Sequence, residues 1–134
     1  IKSRWEGDEA VCRFTPRPYH TSIPGYVYGG LIASLVDCHA TGTAAAAAYR
    51  SEDRPMDSAP NLRFVTAALH VDFLKPTPIA AELEVRSRIK ELASRKVIVS
   101  VAVSADGIET ARGEVVCVRM PDSWVPTRHD ADAS

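Results

Sequence analysis

The chain has no run of about eighteen uninterrupted apolar residues, so no segment reads as a bilayer-spanning helix and no membrane partner is expected. It has no surplus of either charge: 16 Lys and Arg stand against 17 Asp and Glu, a formal net charge of −1. A nucleic-acid binder usually shows a basic excess, so nucleic acid is not an expected partner. Cysteine is scarce. Cys12, Cys38 and Cys117 are odd in number, widely spaced, and form no C-x-x-C pair or zinc-ligand pattern. That excludes a disulfide scaffold and leaves no obvious metal site. Three reduced thiols in or near the core are the expectation, which suits a reducing compartment and a cytoplasmic location. The opening residues Ile1 to Trp5 lack the apolar stretch of a signal peptide, and no Met begins the sequence, so a trimmed chain is expected.

What remains is globular. The apolar share of 46% and charged share of 25% are ordinary, and 134 residues make one domain. A chain of this size buries roughly two-thirds of its unfolded surface and needs no staples. We expect one domain with a core over about residues 10–120 and a loose polar tail over about 122–134.

Hydrophobic spacing organises the chain. Ala10 to Phe14 reads as a first strand. Thr15 to Gly25 reads as a loop, because Pro16, Pro18 and Pro24 oppose regular pairing. Gly29 and Gly30 open a proline-free, alanine-rich segment, Leu31 to Tyr49, that reads as one long helix. Arg50 to Pro60 is a polar loop. The period then changes to two. In Arg63 to Phe73 the odd positions from Val65 on are apolar, while Thr66, His70 and Asp72 fall on the other side. Strands follow around Leu83 to Lys90, Val97 to Val103 and Ile108 to Met120, with Asp106-Gly107 as a hairpin turn. Four long antiparallel strands in a meander and one helix must share a core. The economical answer is an α+β fold in which a curved antiparallel sheet wraps the helix.

On a helical projection Leu31, Leu35, Cys38, Gly42, Ala45 and Tyr49 share one face, flanked by Ile32 and Val36. Another face carries Gly30, Ala33, Asp37, Thr41, Ala44 and Ala48, nearly all small. Asp37 is the only carboxylate between Gly30 and Tyr49, and it lies too far from the helix start to cap it. It is either a solvated surface acid or a carboxylate lining a cleft, where it serves as general base or nucleophile. Gly29-Gly30 is either a permissive loop-to-helix transition or a pair of bare amide donors for a carbonyl oxygen or oxyanion.

The run from Gly25 through Tyr28, Gly29 and Gly30 to Asp37 resembles the helix motif G-x-x-H-G-G-x-x-x-x-x-x-D of hotdog-fold acyl-CoA thioesterases of the PaaI-like, phenylacetate-pathway type. Thr66 to Pro76 is similar to that family's first long strand with its proline ending. Arg112-Gly113-Glu114 sits where the last strand often has A-x-G. The resemblance covers about residues 10–120 and implies a hotdog fold, a sheet wrapped around one long central helix. It implies hydrolysis of acyl-CoA thioesters, with Asp37 as base or nucleophile, the Gly29 amide polarising the carbonyl, and Thr66 positioning water. Thr66 lies on the polar side of its strand, so a neighbouring subunit or a bulge is expected to resolve that mismatch. No cofactor is implied. The family's sites lie across a dimer interface, so a homodimer is expected, and a homotetramer as a dimer of dimers.

The chain departs from the pattern twice. The motif His is Tyr28, and an Asn common six residues earlier is Ser22. Both weaken polarisation and positioning, since a phenol with pKa near 10 is a poor base. Tyr28, Gly30, Ser22 and His20 are candidate substrate-binding residues, with His20, more than His39, as a substitute for the absent motif His. A non-catalytic acyl-CoA-binding module is the main alternative. An enoyl-CoA hydratase or dehydratase is a weaker one, since it needs a His paired with the acid. Arg86, Arg88, Lys90, Arg95 and Lys96 flank a hairpin, either as a solvated edge or as contacts to coenzyme A phosphates.

Overall fold

The computed structural model describes residues 3–56, 58, 59, 61–121 and 123. The reading of residues 122–134 as a loose tail therefore lies outside the described residues, Ser123 apart. A hairpin opens the chain, β1 (Ser3–Glu6) and β2 (Glu9–Phe14), turning at Gly7, which takes φ 63°. Sequence reading found β2 and missed β1, although Gly7-Asp8 is itself a hairpin signal. A short ribbon follows, β3 (Thr21–Ile23) with β4 (Tyr26–Val27). This corrects the reading of Thr15 to Gly25 as unpaired. Pro24 and Gly25 are the turn of the ribbon, and Gly25 takes φ 89°, as the second central residue of a type II turn requires.

The helix α1 (Gly29–Ser51) is longer at both ends than Leu31 to Tyr49. It has the length and composition of a bilayer-spanning helix, yet half of its most apolar stretch is buried inside the protein, and it packs against β5, β6, β7 and β8. The buried residues run as Leu31/Ile32, Leu35/Val36, His39/Ala40, Thr43/Ala44 and Ala47/Ala48. Cys38 and Gly42 are exposed rather than core, and Ala44 and Ala48 are core rather than cleft. A step of four residues turns about 400°, so the buried stripe drifts around the helix, which a fixed projection does not capture.

The long strands are β5 (Phe64–Phe73), β6 (Leu83–Leu92), β7 (Lys96–Ala105) and β8 (Ile108–Arg119). The six-stranded antiparallel sheet has the order β1-β2-β6-β7-β8-β5. Only β6, β7 and β8 form a meander. β5 pairs with β8 at the far edge, not with β6, which corrects the four-strand meander. Asp106 and Gly107 both take positive φ, 51° and 79°, as a type I′ turn demands. Val97, Val99, Val101 and Val103 point at the helix and are essentially fully buried. Each contributes about 1.5–3 kcal/mol of burial. Tyr49 closes the C-terminal end of the core, its hydroxyl accepting the Leu62 amide at 2.8 Å. Of the cysteines, Cys12 and Cys117 are buried and Cys38 is exposed.

Candidate active site

Asp37 sits in the middle of α1 and is half-buried beside the sheet. The Thr66 hydroxyl donates a hydrogen bond to its Oδ1. Strand alternation alone would forbid this contact. Residues 111, 113, 115 and 117 of β8 are buried against the helix. Their β5 partners are Phe73, Val71, Leu69 and Thr66, with Ala68 opposite Val116. Ala67 is thus an extra residue, a bulge that switches the helix-facing positions from odd to even. Leu69, Val71 and Phe73 keep their apolar side on the helix, and Thr66 joins them there. Of the two resolutions expected for the polar-side placement of Thr66, a neighbouring subunit or a bulge, the structure shows the bulge, within one chain.

Cys117 pairs with Thr66 across the ladder, and burial, then the charge of Asp37, push its thiol up to about 11. The thiol is therefore a neutral neighbour of the carboxylate. Sequence reasoning missed it, although the helix-facing parity of β8 points to it.

The other candidates gather at the start of α1. Tyr28 is the N-cap residue but makes no side-chain cap bond, and no acid stands in the first turn. Leu31 donates to the Tyr28 carbonyl at 3.2 Å, while the amides of Gly29 and Gly30 precede the first helical hydrogen bond and can donate outward. Gly29 and Ser22 line one open groove of about 600 Å³ together with Ile23, Val27, Ile32 and Phe73. A Cβ on Gly29 would sit 3.3 Å from the Phe73 ring, so Phe73 roofs the helix start. A Cβ on Gly30 would lie 2.7 Å from the Tyr28 ring, so Gly30 lets that ring lie along the helix. The ribbon holds this end in place: Val27 donates to the Thr77 carbonyl at 2.8 Å, and Ile79 to that of Gly25 at 2.9 Å.

His20 lies beside Tyr28, with ring centroids 6.4 Å apart, and also packs near Phe14 and Tyr19. Its Nδ1 accepts the Arg17 amide at 2.9 Å, so Nε2 carries the proton of the neutral ring. His39 is a core residue instead. Its Nε2–H donates to the Ala10 carbonyl at 2.9 Å, and burial lowers its pKa. It therefore faces β2 rather than Asp37. Among the described residues no group of three or more His, Cys, Asp or Glu could hold a metal ion.

The structure thus makes two clusters: Asp37, Thr66 and Cys117 at mid-helix, and Gly29, Gly30, Ser22, Tyr28 and His20 at its start. Gly29 and Asp37 are about 12 Å apart along the axis of one helix. A polarising amide and an attacking water must act on one carbonyl group, the amide about 3 Å from its oxygen and the water about 3 Å from its carbon.

Residues 24–112 match the family model of the thioesterase superfamily. The chain belongs to the thioesterase superfamily. Its fold is the superfamily's hotdog fold, one long helix against a large antiparallel sheet. The chain is 50% identical to a thioesterase superfamily protein from Shewanella loihica, with a TM-score of 0.74, covering 90% of this chain and 91% of that one. A thioesterase protein from Streptococcus pneumoniae solved with coenzyme A shares the fold at 12% identity, with a TM-score of 0.73 and 89% and 87% of the chains covered. Acyl-coenzyme A thioesterase THEM4 of Xenopus laevis is 32% identical over 90 residues, which are 67% of this chain and 35% of that protein. The chain spans about a third of the length of the curated relatives it matches.

Proposed function

We propose that the protein hydrolyses acyl-CoA thioesters to a free acid and coenzyme A. The Asp37–Thr66 contact carries this reading, because it builds a carboxylate and an oriented hydroxyl on the helix-facing side of the sheet. The superfamily's match and the activity named for THEM4 support it. Asp37 removes a proton from water as the water oxygen bonds to the acyl carbon, or attacks that carbon directly to give an acyl anhydride that water then hydrolyses to the free acid and the Asp37 carboxylate. Thr66, bonded to Asp37, fixes the carboxylate and the water beside it. The Gly29 amide donates to the carbonyl oxygen as it gains charge. The carbon–sulfur bond then breaks, and the thiolate leaves to take up a proton.

We propose a homodimer as the working unit, with the Gly29 cluster of one chain facing the Asp37 cluster of its partner, and a tetramer of two dimers as its assembly. The 12 Å gap within one chain, about eight helical rises, supports the first of these. So does β5, an edge strand exposed along nearly all its length with Val65, Leu69 and Phe73 on show.

The test is release of free thiol from short, long and aromatic acyl-CoAs by wild type and Asp37→Asn. Wild type should turn over at least one of them, and the variant should lose about 10²–10⁴ in rate with its fold intact by circular dichroism. Tight acyl-CoA binding by both proteins with release from neither would replace hydrolysis with a binding module, in line with Tyr28 and Ser22. Loss of enoyl absorbance from crotonyl-CoA would point to a hydratase.

A further inference from the structure

A separate recess lies on the other side of α1 from Asp37. One wall is the opening hairpin, with Trp5 of β1 and Ala10 of β2. The other is the helix, with Gly42, Thr43 and Ala46, and Met56 completes the lining. Asp37 and Ala46 are nine residues apart on α1, a turn of about 900°, so they face opposite sides of the helix. The recess measures about 330 Å³, at the low end of the range for small-ligand sites. Neither of the two clusters at Gly29 and Asp37 lines it.

Its walls are apolar and its rim is not. A Cβ added to Gly42 would meet nothing within 4 Å, so the helix itself leaves the room. The Thr43 hydroxyl donates to the His39 carbonyl of its own helix at 2.7 Å, which ties its one proton within α1. At the rim Arg4 is paired with Glu6 at 3.3 Å. Arg50 lies one helical turn beyond Ala46 on the same ridge, and its guanidinium carbon stands 4.4 Å from the centre of the Trp5 ring. Its place in the last turn suits the helix dipole, and the stack on Trp5 brings the same charge to the recess. Among the described residues Arg50 has no ion pair, whereas Arg54 and Arg119 are both bound to Glu52. A guanidinium stacked on an aromatic face keeps the N–H donors of its edge for a carboxylate. Apolar walls with one unpaired guanidinium at their end fit an amphiphile with an apolar body and an anionic head.

We infer that this recess is a second binding site, for a free carboxylic acid of medium length, with the chain between Trp5 and the Gly42–Ala46 wall and the carboxylate on Arg50. The acid is assigned through the acyl-CoA reading above, because hydrolysis releases one. It binds without coenzyme A, because the lining carries no unpaired cation for the phosphates. Gly42 and Arg50 are eight residues apart, about 12 Å along the helix axis. An extended acid of about eight to ten carbons spans that length at roughly 1.3 Å per bond.

The test titrates octanoate and its neutral analogue octanol into the Trp124→Phe protein, which leaves Trp5 as its one indole. Octanoate should change the Trp5 emission saturably, and octanol should bind at least tenfold more weakly. Gly42→Leu and Ala46→Leu fill the recess from the helix side. Both should abolish the octanoate response, with α1 intact by circular dichroism and any acyl-CoA hydrolysis at the wild-type rate. Arg50→Gln alters the surroundings of Trp5 by itself, so calorimetry follows it, and its octanoate affinity should fall about tenfold. Asp37→Asn should keep the Trp5 response in full. Absence of a saturable response overturns the inference, as does full octanoate affinity in both filled variants or equal affinity for octanol. So does loss of the response in Asp37→Asn, which would put the acid at the hydrolytic site. Octanoate binding as expected in a protein that hydrolyses no acyl-CoA would fail the hydrolytic reading alone and leave the recess as a carboxylate site.

Discussion

The residues at the centre of the molecule show how one helix serves two ends. His39 and Asp37 are two positions apart, yet point to opposite sides of α1, one to the Ala10 carbonyl and one to Thr66. Burial is the larger influence on His39 and lowers its pKa below the ordinary 6.5, while the bond to Ala10 acts the other way. The unfolded chain therefore takes up this proton first as pH falls. Stability is fully present above about 6.5 and declines as pH drops through that value toward the folded pKa. The slope is at most about 1.4 kcal/mol per pH unit. Urea denaturation between pH 7.5 and 5 should show this decline. His39→Gln keeps a donor for Ala10 but does not titrate, so it should flatten that part of the curve. An unchanged slope would remove His39 from the account.

At the scale of elements, the close approach of α1 to β8 sets the depth of the site. A Cβ on Gly113 would lie 2.7 Å from Val36 Cγ1 and 2.8 Å from the His70 carbonyl oxygen. The first neighbour is a buried side-chain methyl of the helix and the second is backbone of β5, which cannot withdraw without moving the strand. Gly113→Ala should cost about 1–3 kcal/mol, read as a lower denaturation midpoint at constant m-value. A fall in kcat/KM should accompany it, because lifting α1 off the sheet separates Asp37 from Thr66. Wild-type stability in this variant would mean that the helix rides higher than described. The same elements show how far the sequence could be read. The α+β class, the helix and the long strands were legible, because Leu31 to Tyr49 lacks proline and the valines of β7 alternate without a break. Asp37, Gly29 and Thr66 were picked out by resemblance and by the rarity of an acid on that helix. The contact between Asp37 and Thr66 was legible only as a choice between a bulge and a neighbouring subunit, because the inserted residue that decides it, Ala67, reverses the strand's parity without a mark in composition. The place of β5 beside β8 was hidden for a related reason: strand order depends on which edges pair, and period-two patterning looks the same on either side. β1 was overlooked because four residues carry little periodicity, although Gly7-Asp8 marked its turn.

For the whole molecule, the far edges of the sheet differ in kind. β1 is covered in charge, with Arg4 and Glu6 paired and Glu6 also reaching Arg86. β5 instead shows Val65, Leu69 and Phe73, each more than two-fifths exposed. An apolar edge with unpaired backbone groups is a template for another strand, and proteins that stay monomeric usually blunt such an edge with lysine or proline. The proposed dimer uses this edge, and its geometry makes a joint prediction. Leu69→Lys introduces a charge in the middle of β5, at a position that is part-exposed in the single chain, so the fold should survive. Sedimentation velocity should then show wild type at dimer mass or a multiple of it and the variant at monomer mass. Thioester hydrolysis should fall with dimer content, because Gly29 and Asp37 of one chain stay about 12 Å apart and cannot act on one carbonyl. Dilution of wild type should lower specific activity along the same curve. A variant that is monomeric and fully active would place both groups on one substrate within a single chain, and would require α1 to bend between them. A variant that remains dimeric would move the interface from β5 to another surface and leave its exposed apolar side chains to be explained.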